Sequence, residues 1–244
     1  MFRLVLLAGL TISFCVLTAQ VPDHKMPVSK YGLPVVKGAK TYQRIVESDP
    51  DNVLVDLRQI IPDAKFDVRY ATANNLIGRP LYPTADVFMR RPAALALREV
   101  HDNLRQLGFG LVFHDGYRPY EITVLFYEEI KDTTYVADPR KGSRHNRGMA
   151  IDLSMYDLKT GEIVEMPSAY DETTERSHHD YMDGSKKALQ NRQILKDAML
   201  DVGFEVYPYE WWHYDFKGWE KCYTYDIWHE KIKKINRKLY RRMK

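Results

Sequence analysis

The spacing of apolar positions predicts several short strands interrupted by two long amphipathic helices. Leu95, Leu97, Val100, Leu104 and Leu107 recur at helical intervals, Pro92 suits a first turn and Gly108 is placed to stop it, so residues 92–107 are expected to be helical. A second long helix is expected over 185–202, capped by Ser185, with Ala188, Leu189, Leu195, Ala198, Met199 and Val202 on its apolar side and Gly203 at its end. A shorter helix is expected over 120–130. Strand-like runs fall at 53–57, 66–70, 110–114, 149–155, 162–166, 204–207 and 210–216. Strands and helices mixed in this way, without strict alternation and without a repeat, predict a single α+β domain.

Composition changes this picture only at the ends of the chain. With 244 residues, 45% of them hydrophobic, there is enough apolar material for one sizeable core. Residues 1–20 carry Arg3, an apolar run over 4–17 and the small residues Thr18 and Ala19, the pattern of a secretory signal peptide cut near Ala19-Gln20. The run is too short for a membrane span. The expected location is therefore exported, either periplasmic or secreted, and loss of Cys15 would leave Cys222 with no internal disulfide partner. Residues 21–51, with Pro22, Pro27, Pro34, Gly32 and Gly38 among lysines, read as a linker or loosely attached arm. The folded domain is expected over 52–230. Residues 231–244 form a basic tail, with eight basic residues, no acidic one, and Ile232, Ile235 and Leu239 at helical spacing. Such a helix could touch an anionic membrane or cell wall, although a solvated helix with one face packed down is the favoured reading. A net charge of +3 gives no case for nucleic-acid binding.

The chemistry is concentrated in three stretches. Ser143-Arg144-His145-Asn146-Arg147-Gly148-Met149-Ala150-Ile151-Asp152 places a histidine and an aspartate seven positions apart, and the aspartate lies in an otherwise apolar strand. An acid there needs a strong partner, and a metal is one. Taken alone, that spacing favours a loop histidine and a paired structural acid. Glu210-Trp211-Trp212-His213 alters the balance, because it supplies a third ligand and a carboxylate not needed as a ligand. Catalytic zinc sites use three protein ligands and keep one position open, and His145, Asp152 and His213 meet that count. Glu210 would then be the general base, provided the strand bends to turn it towards His213. Arg118, in Gly116-Tyr117-Arg118-Pro119 at a strand end, would stabilise an oxyanion beside a zinc, although the motif by itself favours a structural salt bridge. His101 within the first helix reads as a core-satisfying or exposed residue. His178 and His179 are a rival ligand pair, but adjacent histidines seldom both reach one metal.

Taken in order, Asp115-Gly116-Tyr117-Arg118-Pro119, Ser143 through Asp152, Glu175-Arg176-Ser177-His178-His179 and Glu210-Trp211-Trp212-His213-Tyr214 resemble the D-alanyl-D-alanine dipeptidases, zinc peptidases of vancomycin resistance and cell-wall turnover. The resemblance runs from about Val55 to Tyr214. It implies a small antiparallel sheet flanked by helices with the zinc site at the sheet, the D-Ala-D-Ala peptidase/hedgehog-like fold. It further implies one Zn2+ per chain held by His145, Asp152 and His213, Glu210 as general acid/base, and Arg118 as stabiliser of the tetrahedral intermediate. Ser143 and Asp171 are implied to bind a small dipeptide, with Asp171 near its ammonium group. Pro167, in Met166-Pro167-Ser168, departs from the family's glycine beside Asp171. The implied activity is hydrolysis of D-alanyl-D-alanine in wall turnover or salvage. A related D,D-carboxypeptidase or L,D-endopeptidase acting on stem peptides is the alternative. A non-catalytic zinc module is disfavoured, because structural zinc sites are usually closed by a fourth protein ligand.

Overall fold

In the computed structural model, described over residues 26–130 and 134–242, the first half of the chain forms α1 (Ala39–Ser48), β1 (Leu54–Asp56), α2 (Leu57–Ile60), β2 (Lys65–Phe66), β3 (Phe88–Arg90) and α3 (Arg91–Gln106). There follow β4 (Phe109–Asp115), α4 (Tyr120–Ile130), β5 (Ala150–Asp157), α5 (Lys186–Asp201), β6 (Phe204–Tyr207), β7 (Glu210–Phe216) and α6 (His229–Arg242). β1 and β3 pair antiparallel as a two-stranded ribbon. The main sheet has five strands in the order β2-β4-β5-β7-β6. All of its pairings are antiparallel except β2 with β4, so the sheet is mixed, not purely antiparallel as expected. The architecture is α+β.

β5 lies at the centre, and seven of its eight residues are buried. Its side chains alternate between Ile151, Leu153 and Met155, which join the hydrophobic core, and Ala150, Asp152 and Ser154 on the other face. α3 and α5 contact each other beside the sheet, α3 burying Ala94, Leu97, Val100 and Leu104 and α5 burying Ala188, Leu195 and Met199. Ser185 caps α5 as expected, its Oγ accepting from the Ala188 amide at 3.0 Å. His101 is buried in α3 and accepts from the Leu111 amide at 3.4 Å, a core role.

The strand expected at 66–70 stops at Phe66, and a 3-10 turn over Arg69–Ala71 swings Tyr70 inward. The one expected at 162–166 is reduced to a single bridge between Tyr156 and Ile163, because Gly161 and its turn bring only one residue into register. The expected signal segment over 1–20 lies outside the described residues. The expected arm is not loosely attached over its described part. α1 buries Tyr42, Ile45 and Val46, and the Tyr42 hydroxyl accepts from the Leu54 amide at 2.9 Å while donating to Asn236 Oδ1 at 3.3 Å. Likewise the basic run is no separate tail, since α6 buries Ile232, Ile235 and Leu239 and contacts α1. Asn236 ties it to β1 by donating to the Leu54 carbonyl at 2.7 Å. Proline and lysine content hid the first of these packings, because one buried helical stripe of three residues is a short signal. No helix among the described residues is long and apolar enough to cross a membrane.

Because Tyr42 is fully buried between two elements distant in sequence, Tyr42→Ala is expected to lower folding stability by about 3–5 kcal/mol. Urea unfolding of the variant measures this; an unchanged midpoint would mean that the segment before β1 is a dispensable arm.

Candidate metal centre and cleft

β-pairing builds the centre. Asp152 on β5 is the direct cross-strand partner of His213 on β7, and both side chains lie on the face opposite Ile151 and Tyr214. His145 arrives from a 3-10 turn over His145–Arg147 immediately before β5. That turn closes on Gly148 with φ of 63°, and a Cβ there would lie 2.4 Å from Leu54 Cδ2, so glycine is required both by conformation and by space. The result is that His145 Nε2, His213 Nδ1 and Asp152 Oδ1 converge. The two ring nitrogens are 3.1 Å apart, and Oδ1 lies 3.0 Å from His213 Nδ1 and 3.4 Å from His145 Nε2.

Each histidine is oriented by a partner on its other nitrogen. His145 Nδ1 donates to the Gly116 carbonyl at 2.7 Å, and His213 Nε2 donates to Asp215 Oδ1 at 3.0 Å. These bonds leave the converging nitrogens with lone pairs, the arrangement that metal-binding histidines adopt. Gly116 must be glycine for this approach, because a Cβ would stand 2.7 Å from the Phe88 carbonyl. The donor set suits a metal ion, since ligands bound at about 2.0–2.1 Å in a tetrahedron stand roughly 3.3 Å from one another. All three residues are buried. Burial opposes the charge of Asp152, yet His145 and His213 hold its carboxyl well below the usual range.

Glu210 reaches the same place through a break in the sheet. The β6–β7 register shifts between the pairs Val206–Tyr214 and Tyr207–Glu210, which is the bend the sequence required. Glu210 Oε2 thereby comes within 3.7 Å of His213 Nδ1, although residues three apart on a regular strand face opposite ways. Burial, opposed by His213 and reinforced by Asp152, pushes the Glu210 carboxyl up to about 7.

Arg118 is fixed rather than free. Its Nε and Nη2 donate to Asp115 Oδ2 at 3.0 and 2.7 Å, and its guanidinium lies 4.8 Å from the Phe126 ring centre and 5.3 Å from that of Tyr70. Asp115 Oδ1 is occupied by the Tyr82 hydroxyl at 3.0 Å. Asn146, wholly buried, staples the two motif loops: its Nδ2 donates to the Arg118 carbonyl at 2.9 Å and its Oδ1 accepts from the Ser143 amide at 2.7 Å.

All seven residues singled out in the sequence line one cleft of about 340 Å³, namely Arg118, Ser143, His145, Asp152, Asp171, Glu210 and His213. Ser143 Oγ accepts from the His145 amide at 3.2 Å. Asp171 adopts a left-handed φ of 64° and accepts from the Tyr70 hydroxyl at 3.2 Å through Oδ1, while its buried Oδ2 has no partner among the described residues. Burial and then Asp152 raise its carboxyl well above the usual range. Pro167 sits in a well-anchored segment, since its carbonyl accepts from Arg176 and the neighbouring Ser168 Oγ accepts from Trp211 Nε1 at 2.9 Å. His178 and His179 do not join the converging ligands.

Sequence reasoning missed the supporting residues Tyr70, Asp115, Asn146, Tyr170 and Asp215. Asp215 alone carried a signal, because a carboxylate two residues after a ligand on a strand shares its face.

Known proteins similar to this chain point to one family. Residues 50–234 match the family model described as Peptidase_M15, D-ala-D-ala dipeptidase. The chain is similar to a D-alanyl-D-alanine dipeptidase of Escherichia coli (strain K12), 36% identical over 162 residues that cover 66% of this chain and 83% of that protein. It is likewise similar to a D-alanyl-D-alanine dipeptidase of Enterococcus faecalis (strain ATCC 700802 / V583), at 34% identity over 67% of this chain and 91% of that protein. A more distant likeness, to the LdcB LD-carboxypeptidase structure, has 22% identity and a TM-score of 0.38 over 55% of this chain and 62% of the other. With most of its length covered by a single family model, this chain belongs to the D-alanyl-D-alanine dipeptidase family of metallopeptidases.

Proposed function

We propose that this protein is a zinc-dependent dipeptidase that hydrolyses D-alanyl-D-alanine to two D-alanines. The observation that carries the reading is the convergence of His145, Asp152 and His213 beside a non-ligating acid, Glu210, in a small cleft. Two nitrogens and one carboxylate oxygen are a donor set that zinc accepts. When bound, zinc would supply Lewis acidity that polarises the scissile carbonyl and eases deprotonation of the attacking water. Glu210, buried and held close to the ligand set, would take that proton and deliver it to the leaving amine. Arg118, locked on Asp115, would face the negative charge growing on the carbonyl oxygen without having to reorganise.

The cleft is also built for a small substrate with two charged ends. Asp171 Oδ2 is buried and unpaired, a state that a substrate ammonium would relieve. Ser143 would serve as a further contact. A free dipeptide offers such an ammonium, whereas a chain extended at its N-terminus has a neutral amide in that place, so Asp171 would also exclude N-terminally longer or blocked substrates. The secretory pattern of residues 1–20 supports export, to the periplasm or beyond the cell, and there the reaction fits salvage of dipeptide released by wall turnover better than depletion of a cytosolic pool.

Glu210→Ala should retain bound zinc, measured by metal analysis, while turnover collapses; activity that survives the change would sink the proposed mechanism. Arg118→Ala should lower kcat about 10²–10³-fold, and a negligible loss in steady-state kinetics would leave it a purely structural role. Free D-alanyl-D-alanine should be cleaved by the purified protein and its N-acetyl form left intact, with chelator abolishing the reaction. Faster cleavage of a blocked tripeptide would assign the protein instead to the stem-peptide hydrolases.

A further inference from the structure

The Asp152 carboxylate has two oxygens, and the structure gives them different partners. Oδ1 faces His213 Nδ1 and His145 Nε2 at 3.0 and 3.4 Å, whereas Oδ2 accepts a hydrogen bond from the Tyr170 hydroxyl at 3.1 Å. We infer that Tyr170 is a positioning residue of the metal centre, holding Asp152 by Oδ2 so that only Oδ1 is presented to the metal. This inference rests on the metallopeptidase reading above, and it concerns one residue that neither histidine contacts by hydrogen bonding.

The hydroxyl is held by a rigid setting. Tyr170 is buried, and its ring stacks on His114 with centres 4.4 Å apart and planes 15° from parallel. The same ring makes a T-shaped contact with Trp212, with centres 5.5 Å apart and planes at 75°. His114 is fixed in turn, with Nδ1 3.2 Å from the Asp67 carbonyl. Packing against the two rings fixes where the phenol oxygen sits, beside Asp152 Oδ2, which is what a monodentate carboxylate needs: one oxygen held by a donor and one left to bind. A carboxylate lacking that donor could bring both oxygens to the metal, using the coordination position that water or substrate must occupy.

The neighbouring residue strengthens the case. In extended backbone, consecutive side chains point to opposite sides. Asp171 has a left-handed φ of 64°, uncommon for a residue other than glycine but tolerated by aspartate. That turn allows Tyr170 to hold a metal ligand while Asp171 lines the cleft, so a strained dipeptide places the ligand and a substrate contact together.

The test is Tyr170→Phe in the full chain, which keeps the ring and its stacking and removes only the hydroxyl. Zinc affinity is read by competition with a chromophoric chelator, and the visible spectrum is recorded after loading with Co2+. The dissociation constant for zinc is expected to rise about 10–100-fold, the Co2+ band to weaken as Asp152 becomes bidentate, and the metal-free protein to keep a cooperative melt, lowered by several degrees for the lost hydrogen bond. A variant with parental zinc affinity and an unchanged Co2+ spectrum overturns the inference. A variant whose metal-free form has also lost its cooperative melt overturns it too, because Tyr170 would then serve folding rather than the metal. Failure of the parent protein itself to bind zinc would overturn the metallopeptidase reading, a result distinguishable from either of these.

Discussion

The contact between Asp152 and His213 in the middle of the sheet is the constraint on which the rest of the molecule depends. A carboxylate buried in a central strand costs several kcal/mol unless it is paired and hydrogen-bonded. Here two imidazoles and a phenol satisfy it. Strand pairing sets the Asp152–His213 separation, so the site inherits the rigidity of the backbone ladder between β5 and β7. Of the three converging residues, His145 is the one not carried by a strand. Accordingly its turn is braced from several sides, with Gly148 packed against Leu54, Asn146 bonded to both motif loops, and Nδ1 seated on Gly116.

The charges around the cleft are unequal in a way that fits the proposed chemistry. Asp152, Asp171, Glu210 and Asp215 lie in or beside it, and Arg118 is the cation held deep within by Asp115. A surplus of buried carboxylates is unfavourable in an empty protein, and burial raises Asp171 and Glu210 as a direct result. Arg144, which lines the cleft, pairs with Asp215 at 3.3 Å, and a divalent metal together with a substrate ammonium would offset the remaining carboxylates. Arg118 is exempt from this balance because it is neutralised before any substrate arrives. It is thereby a fixed dipole source more than a mobile counter-ion.

The peripheral elements act at a distance from the chemistry. α1 and α6 meet at the Tyr42–Asn236 contact, and both are tied to Leu54 of β1. β1 pairs with β3, and the Arg90 amide at the end of β3 donates to the Gly148 carbonyl at 2.8 Å. The terminal helices are therefore joined to the His145 turn through a short chain of backbone contacts, which explains why they pack down instead of trailing from the domain.

Much of the local structure was legible in the chain. The limits of α3, α4 and α5, the central strand around Asp152 and five of the cleft residues follow from periodicity, turn residues and motif spacing, because those signals act between neighbours along the sequence, whereas Ser143 and Asp171 were implied only by the family resemblance. The bend at Glu210 was also foreseeable, since residues three apart cannot share a face of a regular strand. Other features depended on contacts between distant segments. The parallel β2–β4 pairing, the packing of α1 against α6, the Asn146 bond to the Arg118 carbonyl and the Tyr170 bond to Asp152 join residues between 18 and 194 positions apart. No local pattern encodes such partners, because a buried tyrosine or asparagine looks alike in sequence whatever it bonds to. Sequence determined which side chains could carry the chemistry; tertiary structure decided which atom of each faces the centre, because donors on other strands and loops occupy the remaining atoms.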